Sequence, residues 1–532
     1  MVAILEITKT TYFENLVISA KSGTASQPIT LEGRTNETVT IDAAYEPLTK
    51  TNNLWRAEPG FGQGAYSTSV PFLSARTGDE TTTYATLVDG TLLWTYSTRS
   101  YFDQLFSGQG IYPVRANNRV YIRLTNNQNP NTVPIYIARS QALFMAGGVN
   151  HWRIRNLKFR NGTYAVIFAR GTGGWMTDVV FENLEVSGSS GGIRVWPTVD
   201  AVTIRNSTFS LGWDANWWWS DVKEKHPKTM EGSGISLLGA RNSEVAHNTI
   251  TGYFNGIDVQ GRNIDVHHNT ITQGMDDGIE PEAEVAAGDE IDNVRVHDNY
   301  ISGMLAGIAM VPVQPGPLYV YRNNIVANGT FNFDNRVNPP KRVTSTAYKI
   351  GAYYGRSDSL NTKVYHNSAY CLRYCGSDNT FTDQPAVMRG WEWYNNVFVT
   401  EGTRIFGLDS VNFPGNVFTK NLWYPVVFSR DTAPVTGAPL FVNTNSLPYD
   451  FHLKTGSPAI NAGSNLPISR GWPDSVTVYD GKPDIGAFEH SSETPVPTPT
   501  PAGLTIKLRL EGVRARRSDQ LISIIVRQGA NT

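Results

Sequence analysis

Residues 245–272 read VAHNTITGYFNGIDVQGRNIDVHHNTIT, and the repetition inside this stretch decides the fold. The pattern V-x-H-N-T-I-T occurs twice, so that Asn248 and Asn269 stand 21 residues apart. Between them, NGIDVQ alternates apolar and polar residues, which is typical of a half-buried β-strand. A repeat of about 20 to 50 residues indicates a solenoid, in which each unit packs on its neighbours.

The repeat extends in both directions from this stretch. Nine segments, such as WRIRNLKF and WEWYNNVF, align on one asparagine each: Asn156, Asn183, Asn206, Asn248, Asn269, Asn299, Asn323, Asn367 and Asn396. A second strand of the form Gly-Ile-x-apolar follows most of them, as in GGIRVW, SGISLL, DGIEPE and AGIAMV. One coil therefore comprises a strand, an asparagine turn, a strand and a glycine turn. We expect every asparagine to stack on the next, about 4.8 Å away, with amides hydrogen-bonded along the stack.

The repeat predicts an all-β parallel β-helix over residues 1–489, and three segments depart from it. In residues 48–140, turn-rich stretches separate WRAEPG, TLVDGTLLW and RVYIRL, which predicts a β-rich insertion near the N-terminus. Residues 490–503 are rich in Pro and Thr and are expected to form an extended linker. Residues 504–532 alternate like strands but are too few to bury a core, so we expect part of an accessory β-domain.

The totals exclude several classes of partner. The 532 residues carry a formal net charge of −2, which argues against nucleic acid as a partner. No stretch approaches 18 apolar residues, so we expect no membrane association. The chain shows no signal peptide at Met1 and opens in mid-pattern, as though a preceding segment had been removed. We therefore expect a secreted or extracellular monomer.

Two other residue types are interpreted as structural. Five histidines lie in the asparagine turns and are interpreted as turn residues: His247, His267, His268, His297 and His366. The only cysteines, Cys371 and Cys375, form either a short-loop disulfide or two free thiols, and two thiols make no metal site on their own.

The strands that follow glycine place an acidic patch on the outer surface. The outward position after Ile is occupied, coil by coil, by Arg194, Ser236, Asp258, Glu280 and Ala309. The carboxylates that share the patch are Asp258, Asp276, Asp277, Glu280 and Glu282. Like charges on adjacent strands destabilise a sheet unless a carboxyl keeps a proton, a cation joins them or water screens them. The first case serves acid–base catalysis, the second provides a Ca²⁺ site, and the third is a solvated acidic face.

A tryptophan-rich loop, LGWDANWWWSDVKEKHPKTMEGSG, spans residues 211–234. Exposed aromatic faces stack on sugar rings, which is one interpretation of Trp213, Trp217 and Trp218. The other interpretation is that these side chains pin the loop to the solenoid. Lys223 adds positive charge suited to an acidic sugar.

The coil pattern resembles the right-handed parallel β-helix superfamily of pectate lyases, polygalacturonases, and alginate and chondroitin lyases. Three further segments resemble sequences that recur in such bacterial proteins: SGTASQPITLEG near the start, and DFHLKTGSPAINAG and DIGAFEH near the end. The resemblance implies a right-handed, single-stranded solenoid of β-coils and an activity on polysaccharides.

Similarity to polygalacturonases implies roles for residues on two adjacent coils. Asn255-Gly-Ile-Asp and Asp276-Asp277-Gly-Ile match the paired aspartate strands of that family. The match implies that Asp276 is the general acid and Asp277 is one of the two water-activating groups. Asn255 stands where the family has the other base, and Ala306-Gly-Ile replaces its Gly-His-Gly.

Similarity to alginate and chondroitin lyases implies a different arrangement. Glu280-Pro-Glu282 has the spacing of the Glu-x-Glu pair with which those enzymes hold Ca²⁺. Asn255 or Asp258 would complete this oxygen site. The lysine that these enzymes use as a base is absent after the pair, so Lys349 or a loop lysine would take its place.

We therefore expect a secreted glycoside hydrolase that acts on a polysaccharide or oligosaccharide and requires no cofactor. Its expected catalytic residues are Asp276, Asp277, Glu280, Glu282 and Asp258. Its expected substrate-binding residues are Asn255, Arg194, Trp213, Trp217, Trp218, Lys223, Lys349, Tyr353, Tyr354 and Arg356. The first alternative is a Ca²⁺-dependent lyase of uronate-containing glycans, and the second is a non-catalytic glycan-binding β-helix protein.

Overall fold

The structure is a computed structural model, and the residues it describes are 4–7, 10–34, 36–73, 83–171, 174–212, 214, 216–224, 230–282, 290–310, 316–350, 361–378, 390–407, 415–466, 482–490 and 522–523. The linker predicted over residues 490–503 lies outside these ranges, apart from its first residue. The predicted accessory segment also lies outside them, apart from the strand Ile522–Ser523, which pairs with Leu16–Ser19.

Two parallel sheets build most of the described chain. The larger one has 21 strands there: Ile4–Ile7, Leu16–Ser19, Ile29–Gly33, Leu143–Ala146, Asn150–Arg155, Ile167–Arg170, Met176–Glu182, Ile193–Val195, Val199–Arg205, Ser233–Ala246, Asn255–His267, Asp277–Pro281, Ile291–His297, Ala306–Met310, Leu318–Tyr321, Thr346–Ile350, Thr362–Tyr365, Tyr374–Asp378, Glu392–Tyr394, Val417–Thr419 and Ile522–Ser523. The other has 13 strands there: Thr11–Tyr12, Thr40–Asp42, Lys158–Arg160, Glu185–Ser187, Thr208–Ser210, Thr249–Thr251, Thr270–Thr272, Tyr300–Ser302, Asn324–Ala327, Ser368–Cys371, Val397–Thr400, Leu422–Tyr424 and Val435–Thr436.

The central coils contain three strand segments, and not the two that the sequence predicted. Asn255–His267 carries two of them end to end, one after the glycine turn and one before the asparagine turn. Thr270–Thr272 is the third, and it belongs to the smaller sheet. Each segment pairs in parallel with its counterpart one coil away, as Thr249–Thr251 does with Thr270–Thr272. The parallel β-helix is confirmed, and each of these coils contains one strand segment more than the predicted unit of two.

A ladder of buried asparagines runs along one corner of the solenoid. Its rungs are Asn248, Asn269, Asn299, Asn323, Asn367, Asn396 and Asn421, and each Nδ2 donates to the Oδ1 of the next rung at 2.8–3.0 Å. The same Oδ1 also accepts the backbone N–H of the preceding rung, as Asn299 does from Asn269 at 2.9 Å. Asp431 accepts the last Nδ2, from Asn421, at 2.8 Å. The ladder therefore satisfies polar groups that burial would otherwise leave unpaired.

Three of the predicted rungs lie one residue before the buried ladder position, although Nδ2 of Asn183 does donate to Oδ1 of Asn156 on the preceding coil at 3.3 Å. Asn156, Asn183 and Asn206 are exposed and have φ values of 57°, 53° and 51°, which is the left-handed conformation. In this part of the chain the residue after the asparagine takes the rung position. It is Leu157 after Asn156 and Leu184 after Asn183. Asparagine tolerates the left-handed conformation better than most residues, so it fits both positions of the turn. This is why aligning the sequence on asparagine shifted three coils by one residue.

The inside of the solenoid is filled by side chains in register. Ile257, Ile279 and Ile308 are direct partners on three successive strands and are fully buried. Toward the C-terminal end aromatic side chains take over, and Phe398 stacks on Trp423 with ring centroids 4.6 Å apart.

An antiparallel sheet lies within the segment predicted as an insertion. Its strands are Arg56–Ala57, Ala65–Ser69, Arg119–Arg123, Gly110–Val114 and Trp94–Thr95, of which the last two run parallel to each other. A two-stranded ladder pairs Ala85–Leu87 with Ile135–Ile137. A separate apolar cluster that includes Trp55, Leu93 and Ile122 packs beneath these strands.

The remaining elements are short. Two hairpins pair Thr330–Asp334 with Lys341–Thr344 and Phe441–Asn443 with Asp450–Leu453. The described α-helices are Arg99–Gln104 and Trp219–Glu224, and the 3₁₀ turns are Glu46–Leu48, Pro59–Phe61, Arg115–Asn117, Thr125–Asn127 and Pro130–Thr132. Neither of these α-helices is long and apolar enough to cross a membrane. Cys371 and Cys375 form a disulfide.

Candidate active site

The predicted outward row is present on the larger sheet. Ser236, Asp258 and Glu280 are direct partners on three adjacent strands. Ala309 follows one coil later and pairs with Lys349 on the next strand. The isoleucine before Asp258, Glu280 and Ala309 is fully buried in each case, so alternation turns these three side chains outward. Adjacent strands lie about 4.8 Å apart, which brings the carboxyl groups of Asp258 and Glu280 together.

Glycine lets the coils approach closely at this point. A Cβ on Gly278 would lie 2.5 Å from the carbonyl oxygen of Gly307 on the next coil and 2.6 Å from a methyl group of Ile301. Any larger residue would push the coils apart. The Gly-Ile pattern therefore fixes where Asp277 and Glu280 stand on either side of this glycine.

Asp277 and Lys349 form a buried ion pair. Lys349 Nζ lies 2.5 Å from Asp277 Oδ2, and the Asp277 side chain is fully buried. Lys349 lies two strands beyond Asp277, and between them the chain presents only the small side chains of Ala306 and Ala309. The long lysine side chain reaches back across this gap. The sequence placed Lys349 near the site, and the structure shows that it binds a carboxylate there.

Burial changes the proton affinity of this pair. Burial, followed by the charge of Asp276, raises the pKa of Asp277 to about 7, although Lys349 acts in the opposite direction. Burial alone would lower the pKa of Lys349, but the charges of Asp277 and Asp276 raise it well above its ordinary value. Oδ1 of Asp277 has no hydrogen-bond partner among the residues that the structure describes. Lys349 therefore stays charged, and Asp277 has an oxygen that can hold a proton.

Asn255 joins the carboxylates of two coils. Its Oδ1 accepts the backbone N–H of Asp277 at 3.1 Å, which fixes the orientation of the amide. Its Nδ2 then donates to Glu280 Oε2 at 2.6 Å and contacts Asp258 Oδ1 at 3.4 Å. Asn255 is therefore a polar clamp at the centre of the cluster.

Two serines hold Asp258. The hydroxyl groups of Ser233 and Ser236 both donate to Asp258 Oδ2, the second at 3.1 Å. These hydrogen bonds fix the carboxylate from the preceding coil and leave Oδ1 on the side of Asn255. Sequence analysis gave neither serine a role, although Ser236 occupies the row of outward positions that contains Asp258.

Glu280 lies at the centre of the acidic patch and remains partly exposed. Burial, followed by the charges of Glu282, Asp277 and Asp258, raises the pKa of Glu280 well above its ordinary value. Lys349 acts in the opposite direction but does not cancel this effect. Glu280 therefore keeps its proton under conditions in which an ordinary glutamate has lost it.

Lys223 closes the other side of the cluster. It lies in the helix Trp219–Glu224, and its Nζ lies 2.9 Å from Glu231 Oε2 and 3.8 Å from Asp276 Oδ2. Burial lowers its pKa, but the charges of Asp276 and Glu231 raise it above the ordinary value. Its ammonium group also lies 5.0 Å from the ring centre of Phe254. Glu231 belongs to the site, although sequence analysis gave it no role.

The expectation that Trp217 offers a face to a sugar is wrong. Trp217 is 3% exposed, and its Nε1 donates to the carbonyl oxygen of Ser107 at 2.9 Å. Its ring packs edge-on against Trp94, with centroids 4.6 Å apart. The residue pins the loop to the N-terminal antiparallel sheet. Trp218 is half-buried, whereas Trp213 lies outside the described residues.

Arg194 begins an arginine–aromatic patch two coils before Asp258. Its guanidinium lies 4.6 Å from the ring centre of Tyr164 and 6.0 Å from that of Trp196. The guanidinium of Arg170 also lies near Trp196, 5.7 Å from its ring centre. Trp196 is 36% exposed and therefore offers an accessible aromatic surface on the sheet that carries the carboxylates. Three other residues expected to bind substrate, Tyr353, Tyr354 and Arg356, lie outside the described residues.

Several oxygens of the predicted Ca²⁺ shell already accept hydrogen bonds. Glu280 Oε2 accepts one from an amide, and Asp258 Oδ2 accepts two from hydroxyl groups. The amide oxygen of Asn255 is occupied by a backbone N–H. Two ammonium groups, on Lys223 and Lys349, already supply positive charge to the cluster.

The chain is similar to one protein family and to several solved structures. Residues 141–422 match the family described as "Right handed beta helix region". Similar solved structures include XylC in complex with xylose (TM-score 0.46, 10% identity, 83% of this chain and 82% of that chain covered). They also include a glycoside hydrolase (0.44, 11%, 80% and 89%) and pectate lyase Pel9A (0.40, 12%, 92% and 86%). No curated protein matches the sequence significantly.

The family match covers more than half of the chain, including the whole asparagine ladder and the strands that carry the carboxylates. It agrees with the parallel pairing of successive coils and with the handedness that the sequence resemblance implied. The chain therefore belongs to the right-handed parallel β-helix family.

Proposed function

We propose that this protein is a glycoside hydrolase in which Glu280 is the proton donor. The observation that carries the proposal is the position of Glu280 among three other carboxylates, where burial, followed by their charges, raises its pKa. A general acid must hold a proton at the working pH and must reach the substrate. Glu280 meets both requirements, because it is partly exposed. Asp277 has a raised pKa but is fully buried against Lys349, so it acts by positioning that lysine.

Asp258 is the partner carboxylate in this proposal. Glu280 gives its proton to the glycosidic oxygen as the bond to the anomeric carbon breaks. Oδ1 of Asp258 forms a bond to that carbon, and water releases the sugar when Glu280, now ionised, removes a proton from it. The serine hydroxyl groups hold Oδ2 of Asp258, so that the other oxygen keeps a fixed position.

The geometry of Asn255 favours retention of anomeric configuration. Its Nδ2 lies 2.6 Å from Glu280 Oε2 and 3.4 Å from Asp258 Oδ1, so these oxygens are at most about 6 Å apart. Retaining enzymes place their two carboxyl groups about 5–5.5 Å apart, whereas inverting enzymes need about 6.5–9.5 Å to admit a water molecule.

The charge of the site favours a neutral glycan. Six carboxyl groups, those of Glu231, Asp258, Asp276, Asp277, Glu280 and Glu282, face two lysines in the described part of the site. Both lysines contact carboxylates of the protein itself. A uronate would therefore meet excess negative charge. The exposed face of Trp196 provides an apolar surface for a neutral sugar ring.

The lyase alternative receives less support from this geometry. A lyase needs a base that is neutral before it abstracts a proton, but the carboxylates around Lys349 raise its pKa and keep it charged. It also needs a group that neutralises the uronate, and three of the candidate Ca²⁺ ligand oxygens, on Glu280, Asp258 and Asn255, already accept hydrogen bonds.

The test is a screen of the purified protein against neutral and uronate-containing polysaccharides. We expect new reducing ends from a neutral glycan without a product that absorbs in the near ultraviolet. Glu280→Gln should reduce turnover by at least about 1,000-fold with an unchanged circular dichroism spectrum. Asp292→Asn is the matched control, because this carboxylate binds Arg262 elsewhere on the sheet. A product that absorbs in the near ultraviolet would contradict the hydrolase and show that the protein is a lyase. Binding of a glycan without either product would show that the protein is a non-catalytic glycan-binding protein.

A further inference from the structure

Three histidines converge where two successive coils turn, on the outer edge of the solenoid. His247 lies in the turn of one coil, and His267 and His268 lie in the same turn of the next coil. One ring nitrogen of each histidine lies within 4.8 Å of those of the other two. His247 and His268 are exposed, so the space between the nitrogens is accessible from solvent.

The three rings are in mutual contact. His247 and His268 stack with centroids 4.8 Å apart, and the ring of His267 stands at 86° to both. Nδ1 of His267 lies 2.9 Å from Nδ1 of His268. Two nitrogens that bind one zinc ion at about 2.0–2.1 Å are about 3.4 Å apart in a tetrahedral shell. Small rotations of the rings are therefore sufficient to bind an ion.

Glu244 selects the tautomer of the central imidazole. Its Oε1 lies 3.2 Å from Nε2 of His267, where it can accept the ring proton. Nδ1 of His267 then carries a lone pair directed at His268. This pairing of a carboxylate with the far nitrogen orients histidine ligands in many metal sites.

The next histidine along the solenoid does not join the cluster. Nδ1 of His297 lies 2.6 Å from Asp298, and its Nε2 lies 2.7 Å from Asp265. Both nitrogens are therefore occupied. Three ligands remain, which leaves a fourth position for water.

We propose that His247, His267 and His268 bind a divalent transition metal ion such as Zn²⁺ or Cu²⁺. Imidazole nitrogens suit both ions. The site takes no part in the hydrolysis proposed above, because it lies at the other end of Asn255–His267 from Asp258. Its ligands come from two coils, so a bound ion cross-links them and stabilises the folded chain as its occupancy rises.

The test uses the full chain after a chelator has removed metal ions. Calorimetric titration with Zn²⁺ should show one ion per chain, and Zn²⁺ should raise the thermal midpoint. Cu²⁺ should give an electron paramagnetic resonance spectrum with nitrogen hyperfine splitting. His247→Asn and His268→Asn should each weaken Zn²⁺ binding at least tenfold. Asparagine keeps the turn intact, because it occupies the equivalent left-handed position at Asn206.

His452→Ala is the matched control, because this exposed histidine contacts Asp450 in a separate hairpin. It should keep the wild-type affinity for Zn²⁺. The proposal is overturned if the His247→Asn, His268→Asn double variant has a wild-type circular dichroism spectrum and still binds Zn²⁺ with wild-type affinity. A Cu²⁺ spectrum without nitrogen splitting would overturn it equally.

Discussion

Asn255 shows how one residue can mislead a comparison with a family and still define the site. The resemblance to polygalacturonases placed it where a base is expected, and an amide cannot take a proton. In the structure its two amide atoms have separate tasks. Oδ1 accepts from the backbone of Asp277, and Nδ2 holds Glu280 close to Asp258. The substitution therefore changes the role of the position from proton transfer to positioning.

The first prediction concerns this amide. In Asn255→Asp one more carboxylate would stand beside Glu280 and raise its pKa further, because like charges disfavour ionisation. The alkaline limb of the pH–rate profile should then move to higher pH. Asn255→Ala should lower kcat about 10- to 100-fold, in keeping with the loss of a positioning contact. A profile that is identical in Asn255→Asp and in the wild type would contradict this role.

The second prediction follows from the raised pKa of Asp277. Its value of about 7 in the folded chain exceeds the ordinary value of 3.8, so the folded state holds a proton that the unfolded state releases. This contribution to stability is complete below about pH 4 and is lost as the pH rises toward 7. The thermal midpoint should therefore fall over this window, and Asp277→Asn should flatten the fall. Asp292→Asn should keep the wild-type slope.

The alternation of buried and outward side chains along each strand explains which contacts of the site could be predicted from the sequence. Asp258 and Glu280 follow a buried isoleucine on consecutive coils, so their proximity follows from period two and the repeat. The contact of Lys349 with Asp277 joins residues 72 positions apart. No local pattern predicts how far a lysine side chain reaches across Ala309.

Among the elements, the tryptophan-rich loop is the one for which the structure differs most from the expectation. Composition alone cannot distinguish a tryptophan that stacks on a sugar from one that fills a gap between two sheets. The partner of Trp217 is Trp94, which belongs to an antiparallel sheet whose docking the sequence does not specify. The loop is thereby fixed at one end, and its helix carries Lys223 to the carboxylates.

The third prediction separates the two tryptophans of this loop. Trp217→Ala removes a buried ring and a hydrogen bond, so it should lower the free energy of unfolding by about 3–5 kcal/mol. Trp218→Ala, at a half-buried position, should lower it by less than half as much. Urea denaturation measures both. Equal losses in the two variants would contradict the packing described for Trp217.

The asparagine ladder gives the fourth prediction. Asn299→Leu leaves the backbone N–H and the Nδ2 of Asn269 without their acceptor, which should destabilise the fold by about 2–4 kcal/mol. Leucine itself is accepted at the rung position in the early coils, as at Leu157. Asn206→Gly, at an exposed left-handed position, should change stability by less than about 0.5 kcal/mol. An unchanged free energy of unfolding in Asn299→Leu would show that the ladder adds no net stability.

For the molecule as a whole, the proposed catalytic groups and the proposed metal site lie in different places and should respond to different reagents. The fifth prediction is that a chelator leaves the rate of glycan cleavage within about twofold of its starting value. In this proposal lysines and protons, and not a metal ion, offset part of the negative charge of the carboxylate cluster, so removal of metal ions should not alter it. If the histidine site is occupied, the same treatment should lower the thermal midpoint. Loss of activity that added Ca²⁺ restores would favour the lyase.

The whole fold could be predicted from the sequence because its unit is short and recurs many times. Each coil repeats the same strand and turn signals, so an error in one coil leaves the architecture intact. The misplaced rungs at Asn156, Asn183 and Asn206 illustrate this. The antiparallel sheet near the N-terminus has no such redundancy, and its contact with Trp217 appears only in three dimensions.

The ladder also determines where this chain can gain new parts. The rungs Asn248 and Asn269 are 21 residues apart in sequence, whereas Asn323 and Asn367 are 44 apart, yet both pairs are joined by the same 3.0 Å hydrogen bond. The spine is insensitive to the length of the excursion between two rungs. Evolution can therefore lengthen a loop between two rungs, or exchange it for another, without disturbing the axis of the solenoid. An engineer who grafts a foreign loop between Asn323 and Asn367 can rely on the same tolerance.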